Sequence, residues 1–130
     1  GMYGLSAMHQ LFLSKTSKPI QIKDISVNAG IPQNYLEQLL ILLRQAGLVN
    51  SVRGAHGGYL LARNAIDILI KDILIALEGH LSITELEINN PVLKAFYEES
   101  EAKLQAIFAV PLSEFEVYAQ RLNSQLNYSI

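Results

Sequence analysis

The chain has 130 residues, half of them hydrophobic, which suits one compact domain with a protruding element. It contains no cysteine, and this excludes disulfides, thiol catalysis and any cysteine-ligated metal or cluster. Its apolar runs are far shorter than the roughly 20 residues of a membrane helix, and no signal-peptide pattern is present. We expect a soluble cytoplasmic protein with no membrane partner, no metal and no cofactor.

The net charge of −2 is distributed unevenly along the chain. Residues 1–66 hold six basic and two acidic residues, a net charge of +4, whereas residues 67–130 hold four basic and ten acidic residues, a net charge of −6. Three arginines and no acidic residue lie between Gln38 and Ile66. Phosphate contacts act within a Debye length of about 8–10 Å, so this local charge favours nucleic acid despite the negative total.

The first predicted helix runs from Tyr3 to Leu13, and its inner apolar face consists of Leu5, Met8, Leu11 and Phe12. His9 lies off this stripe, and we expect its imidazole to be solvated. A loop over residues 15–19, rich in Lys, Ser and Thr, leads to the next helix. Its lysines either contact phosphates or are simply solvated.

The run from Asp24 to Arg63 predicts a helix, a tight turn, a second helix and a two-stranded ribbon. Gly30 ends the first of these helices in a position where a left-handed residue is common. Pro32 then suits the first turn of the second helix, because its missing N–H would be unpaired there. This order of elements is that of a winged helix-turn-helix, which places one helix in a DNA groove.

The second helix of the motif is predicted from Gln33 to Gln45. At about 100° per residue, one apolar arc is formed by Leu36, Leu39, Leu40 and Leu43. The opposite side holds Asn34, Gln38, Ile41 and Gln45, with Glu37 and Arg44 on one flank. Carboxamides donate and accept together, as the major-groove edge of adenine requires, although any solvated helix can carry Asn and Gln.

The ribbon is predicted from two β-favouring runs, Leu48 to Val52 and Tyr59 to Ala62, around a glycine-rich tip that includes His56. Arg53 and Arg63 flank this tip and are candidates for contacts with phosphates or a narrow minor groove. An ordinary flexible hairpin is the alternative. The position of the ribbon directly after the candidate reading helix favours a DNA-binding wing.

The string YLEQLLILLRQAGLVNSVRGAHGGYLLAR, followed by DILIALEG, closely resembles the Rrf2 family of bacterial winged-helix transcription regulators, which includes iron–sulfur cluster and cysteine-metabolism regulators. The resemblance covers residues 24–79 and implies a homodimer that pairs through a long C-terminal helix. Cluster-binding relatives carry cysteines in the interval that corresponds to residues 80–90. Here that interval has none, so we expect a cysteine-free member without an iron–sulfur cluster.

Three further helices are predicted in the second half. A short one spans Ile70 to Glu78 and is stopped by Gly79. A long one begins at Asn90-Pro91 and runs to about Val110, with the stripe Leu93, Phe96, Tyr97, Ser100, Leu104, Ile107 and Phe108. The last follows Pro111, with Phe115, Tyr118, Leu122 and Leu126 on one side. The long stripe suits a second subunit; packing within the chain is the alternative.

The sequence therefore predicts a mainly α fold with a small β wing, a winged helix-turn-helix domain over residues 1–79 and dimerisation helices over residues 80–130. The leading hypothesis is a homodimeric repressor of a palindromic operator in double-stranded DNA; the alternative is a winged-helix protein-interaction module that does not bind DNA. No metal-ligand spacing, nucleophile elbow or phosphate loop supports an enzyme. An effector, either a small molecule or a protein, is left open. The candidate DNA-binding residues are Gln33, Asn34, Glu37, Gln38, Arg44, Arg53, His56 and Arg63.

Overall fold

The computed structural model describes residues 2–14, 17–78 and 89–128 of the chain. These residues form six α-helices, a short 3-10 helix at Ala65–Asp67 and one two-stranded antiparallel sheet. The mainly α fold with a small β wing is thus confirmed. The elements are α1 (Met2–Leu13), α2 (Ile22–Ala29), α3 (Gln33–Gln45), β1 (Val49–Val52), β2 (Gly58–Leu61), α4 (Ile70–Glu78), α5 (Pro91–Phe108) and α6 (Glu114–Tyr128).

The core lies between α1, α2, α3 and α4, each of which turns an apolar face inward. The predicted apolar arc of α3 is buried throughout. In α1 the buried residues are Gly4, Ala7, Met8 and Leu11, so the predicted inner face is rotated slightly toward the smaller residues. Close approach of neighbouring helices requires such small side chains, which periodicity of large apolar residues does not reveal.

The turn between α2 and α3 is fixed by Gly30, whose φ of 67° is left-handed. Its N–H donates to the carbonyl of Ser26, which also accepts from the N–H of Ile31 at 3.0 Å. The Ser26 hydroxyl donates to the carbonyl of Ile31. Pro32 precedes the first residue of α3, and its carbonyl accepts from the N–H of Leu36 at 2.9 Å. These bonds set the angle at which α3 leaves α2.

The wing pairs β1 with β2 in the register Val49 to Leu61 through Val52 to Gly58. Its regular part is one residue shorter at the base than predicted, but the N–H of Ala62 still donates to the carbonyl of Leu48 at 3.1 Å. The outer side of β2 is held by Ile20, which exchanges two backbone hydrogen bonds of 2.8 Å with Tyr59.

Gly58 makes this attachment of the wing possible. Its φ of 150° is positive, and a Cβ atom added there would overlap the backbone carbonyl of Ile20. Only glycine lets the two backbones approach so closely at this φ without strain. The wing is therefore anchored to the loop before α2 and not only to its own hairpin partner.

After α5 the chain returns to the core. The N–H of Ile70 donates to the carbonyl of Val110 at 2.8 Å, and the N–H of Leu112 donates to the carbonyl of Ile68 at 2.7 Å. Leu112 is fully buried, and Phe115 packs against the same core. A segment from the predicted dimerisation half thus completes the hydrophobic core of the N-terminal half.

The long helix α5 begins as the sequence predicts. The Oδ1 atom of Asn90 accepts from the N–H of Val92 at 2.9 Å and of Leu93 at 3.4 Å, and Pro91 occupies the first turn. The helix ends at Phe108, two residues earlier than predicted, because the backbone of Val110 is used for pairing with Ile70. No residue of α5 is buried.

His9 is less solvated than the sequence predicts. Its side chain is half-buried, and its ring lies 5.1 Å from that of Phe115 and 6.5 Å from that of Phe12. The helix stop at Gly79 and most of the interval without cysteines lie outside the described residues. Across 2–14, 17–78 and 89–128, no helix is both long enough and apolar enough to span a bilayer.

Candidate nucleic-acid interface

The outer face of α3, which we define as Asn34, Gln38, Ile41 and Gln45, is exposed to solvent. The four leucines of the opposite arc are at most 8% exposed, so the helix is fixed by its inner side and leaves this face unobstructed. Gln33 and Glu37 are exposed beside it, near the start of the helix. The amphipathic wheel predicted for α3 is therefore confirmed.

Of the three carboxamides on this face, Asn34 and Gln38 differ in their surroundings. The Oδ1 atom of Asn34 accepts from the N–H of Tyr35 at 3.1 Å, so part of its hydrogen-bonding capacity is used within the first turn of α3. Gln38 lies one turn further, and among the described residues its carboxamide has no hydrogen-bond partner. Gln38 is thus the side chain better prepared to donate to and accept from one base edge.

A cleft of about 430 Å³ lies between the start of α2, the end of α3 and the wing. Three basic side chains line it, and no acidic residue does. We call it the basic cleft, and its charged residues are Lys23, Arg44 and Arg53. A cleft lined by cations and by no acidic residue attracts an anion such as a phosphate group.

Arg44 connects the helix to the wing. It lies in the last turn of α3, and its Nη1 atom donates to the Oγ atom of Ser51 on β1 at 3.4 Å. This contact turns the guanidinium toward the basic cleft and away from the centre of the outer face. Arg44 therefore belongs to the basic cleft, and its contact with phosphates stays a prediction.

His56 and Arg63, two further candidates, lie apart from the basic cleft. His56 is exposed near the wing tip and borders a depression together with Lys18 and Asp24. Arg63 follows β2 at the base of the wing and lines two other depressions, one beside the end of α1 and one with Asp72 of α4. The wing thus separates its two arginines instead of bringing them to one point.

Lys23 is the residue that sequence reasoning missed. A lone lysine in the first turn of a helix has no signature of its own, and periodicity places Lys23 only on the solvated side of α2. The antiparallel pairing of Ile20 with Tyr59 brings the start of α2 beside the wing, and this tertiary contact places Lys23 with the two arginines.

With this geometry in view, the family can be assigned. The family model described as Rrf2, iron-dependent transcriptional regulator, matches residues 1–121. The chain belongs to the Rrf2 family. The resemblance of the helix-turn-helix and wing to this family is thereby confirmed, and the match extends well beyond residues 24–79.

The relatives of this Rrf2 chain are regulators. This chain is 40% identical over 89 residues to the protein rrf2 of Nitratidesulfovibrio vulgaris, and the matched region covers 68% of this chain but only 59% of that protein. The structure of T. potens IscR matches with a TM-score of 0.76, 36% identity and coverage of 90% of this chain and 82% of that one. CymR, the global cysteine regulator of B. subtilis, matches with a TM-score of 0.77, 34% identity and coverage of 89% and 92%. None of these names denotes an enzyme, in agreement with the sequence.

The donor set does not fit a cysteine-ligated iron centre, although the family is described as iron-dependent. The 130 residues contain no cysteine. In the part of the chain that the structure describes, no three His, Cys, Asp or Glu side chains are grouped so that they could hold a metal ion. We therefore derive nothing about this chain from a metal.

Proposed function

We propose that this Rrf2-family chain is a sequence-specific DNA-binding regulator that acts as a homodimeric repressor without a cysteine-ligated iron–sulfur cluster. The observation that carries the proposal is the adjacency of two surfaces. The outer face of α3 offers exposed carboxamides, and the basic cleft beside it offers three cations and no acid. Base reading and phosphate binding need these two chemistries side by side.

In this proposal α3 enters the major groove with its N-terminal turns. Gln38 reads a base pair by donating and accepting together, and Asn34 does so by sharing the oxygen that accepts from Tyr35. Gln33 contacts the adjoining edge, and Glu37 accepts from a cytosine amino group or orients a neighbouring side chain. The positive end of the α3 dipole faces the DNA and adds to the attraction.

Phosphates are held by the cations around α3. At the basic cleft, one phosphate is bound by Arg44, Arg53 and Lys23. Arg53 also extends toward the adjacent minor groove. His56 and Arg63 make weaker backbone contacts on either side of the wing. Arg63 should contribute less than Arg53, because Asp72 borders the same depression and opposes the potential there.

Two copies of the chain pair through the C-terminal helices over residues 80–130, while residues 1–79 bind DNA. The support for pairing is α5, which buries no residue and exposes Val92 (77%), Phe96 (62%) and Ile107 (65%). Twofold symmetry then predicts a palindromic operator with half-site centres about 34 Å apart or a multiple of that distance. Repression follows where such an operator overlaps a promoter.

The test is selection of bound fragments from genomic DNA, followed by anisotropy measurements on the selected duplex and on a scrambled duplex across a salt series. We expect a palindrome, tighter binding to the selected duplex, and a linear decrease of log affinity with log salt. In vitro transcription from a promoter that contains the palindrome should be reduced. Absence of salt-dependent duplex binding contradicts the proposal and favours the protein-interaction module.

A further inference from the structure

The outer face of α3 contains one aliphatic side chain, Ile41. Ile41 is 44% exposed, and it stands between Gln38 and Gln45 along the helix. At about 100° per residue, Ile41 lies about 20° from Asn34 and about 40° from Gln45 around the helix axis. Ile41 therefore forms one edge of this face, about 60° from Gln38, and its side chain still points away from the buried leucine arc.

Position, more than exposure, distinguishes this isoleucine. Single exposed apolar residues are common on proteins, and Val27 on α2 is 72% exposed without any such setting. Ile41 belongs instead to the surface that the proposed function lays against base pairs. When these carboxamides lie in the major groove, the neighbouring Ile41 side chain loses water there whether or not it finds an apolar partner.

We propose that Ile41 packs against the C5-methyl group of a thymine and so determines specificity at one base pair of each half-site. This inference rests on the proposed function and extends it. The thymine methyl is the apolar group that the major groove presents, and apolar side chains are its usual partners. Ile41 lies about 4.5 Å beyond Gln38 along the helix axis and about 60° around it, so we expect the thymine at a base pair near the one that Gln38 reads.

The experiment removes the methyl group from the DNA and the side chain from the protein independently. In the selected operator, each thymine is replaced in turn by deoxyuridine, which pairs identically but lacks the C5-methyl group. Dissociation constants are measured by anisotropy for the unmodified protein and for Ile41→Ala, Ile41→Val and the matched control Val27→Ala. Circular dichroism verifies that each variant is folded, as expected for changes at exposed positions.

For the unmodified protein, we expect one deoxyuridine position per half-site to weaken binding about fourfold, the effect of one buried methyl group. Replacement in both half-sites should weaken binding about 15-fold. Ile41→Ala should bind the thymine and deoxyuridine operators equally, Ile41→Val should retain part of the difference, and Val27→Ala should retain all of it.

Two results overturn the inference while the proposed function stands: no deoxyuridine position weakens binding, or Ile41→Ala is as sensitive to the substitution as the unmodified protein. Sequence-specific binding that still depends on Gln38 identifies these cases. If the unmodified protein binds no duplex at all, the proposed function fails, and the role of Ile41 fails with it.

Discussion

The helices α3 and α5 are both amphipathic, but they expose opposite kinds of surface. Helix α3 buries its four leucines within its own chain and leaves a mainly polar face outside. Helix α5 has no fully buried residue, although Phe108 at its end packs against the core, and it leaves apolar side chains such as Phe96 outside. The first surface suits a hydrated, charged polymer, and the second suits another protein surface.

The difference shows that the exposed side of a helix says more about its partner than the buried side does. The polar side of α5 is also unlike that of α3. It carries glutamates, and Glu98 and Glu99 pair with Lys94 and Lys103 at i,i+4 spacing. Three of the ten acidic residues of the second half, Glu98, Glu99 and Glu101, thus lie on a helix proposed to avoid DNA, and the negative total charge does not oppose a DNA-binding first half.

The largest expected effect is the loss of self-association on replacing Phe96 with Glu. The variant removes about 1.5–3 kcal/mol of apolar burial from each of two copies and puts carboxylates into the interface. We expect the dimer dissociation constant to rise on the order of 100-fold or more in sedimentation equilibrium. The control Glu98→Gln, on the polar side of α5, should leave it unchanged. An unaltered dimer in Phe96→Glu would assign self-association to another surface.

A slightly smaller effect is expected on the free energy of unfolding, to which the core segment at Leu112 and the helix α6 should contribute differently. Leu112→Ala should lower the free energy of unfolding by about 2–5 kcal/mol, because Leu112 is fully buried in the core. Leu122→Ala on α6, where the side chain is 60% exposed, should cost less than about 0.5 kcal/mol. Both are measured by urea denaturation in the Phe96→Glu background, so that dissociation does not contribute. Equal losses would contradict this division.

The two DNA-contacting roles around α3 should be separable as well. Gln38→Ala should cost about 1–3 kcal/mol of binding free energy at one base pair and little on scrambled DNA. Arg53→Ala should weaken binding to both duplexes alike and reduce the slope of log affinity against log salt by about one. Anisotropy on matched and scrambled duplexes measures both. The roles are misassigned if each variant affects the two duplexes to the same extent.

The smallest effect is expected on the polar side of α5. The Nζ atom of Lys103 lies 3.2 Å from a carboxylate oxygen of Glu99, but both side chains are more than 70% exposed. Lys103→Ala should therefore change the free energy of unfolding by less than about 0.5 kcal/mol, and added salt should remove the difference. A loss above about 1 kcal/mol in thermal denaturation would indicate that this side of α5 is covered too.

Much of the fold near α3 is encoded locally. The leucine spacing of α3, the left-handed Gly30 and the Asn90-Pro91 start of α5 each depend on residues within one or two turns, so periodicity and capping rules predict them. The same rules predicted that the outer face of α3 is exposed. The absence of cysteine likewise settles from composition alone that these residues cannot ligate a cluster through thiolates.

The sequence by itself determined which side of each helix is apolar and which residue types face outward. Only the tertiary structure decided which outward residues meet: it placed Lys23 with Arg44 and Arg53, moved Arg63 to the other side of the wing, and put Leu112 into the core. The physical reason is range. Helical periodicity arises from neighbours a few residues apart, whereas these groupings depend on the Ile20–Tyr59 and Ile68–Leu112 hydrogen bonds between distant segments.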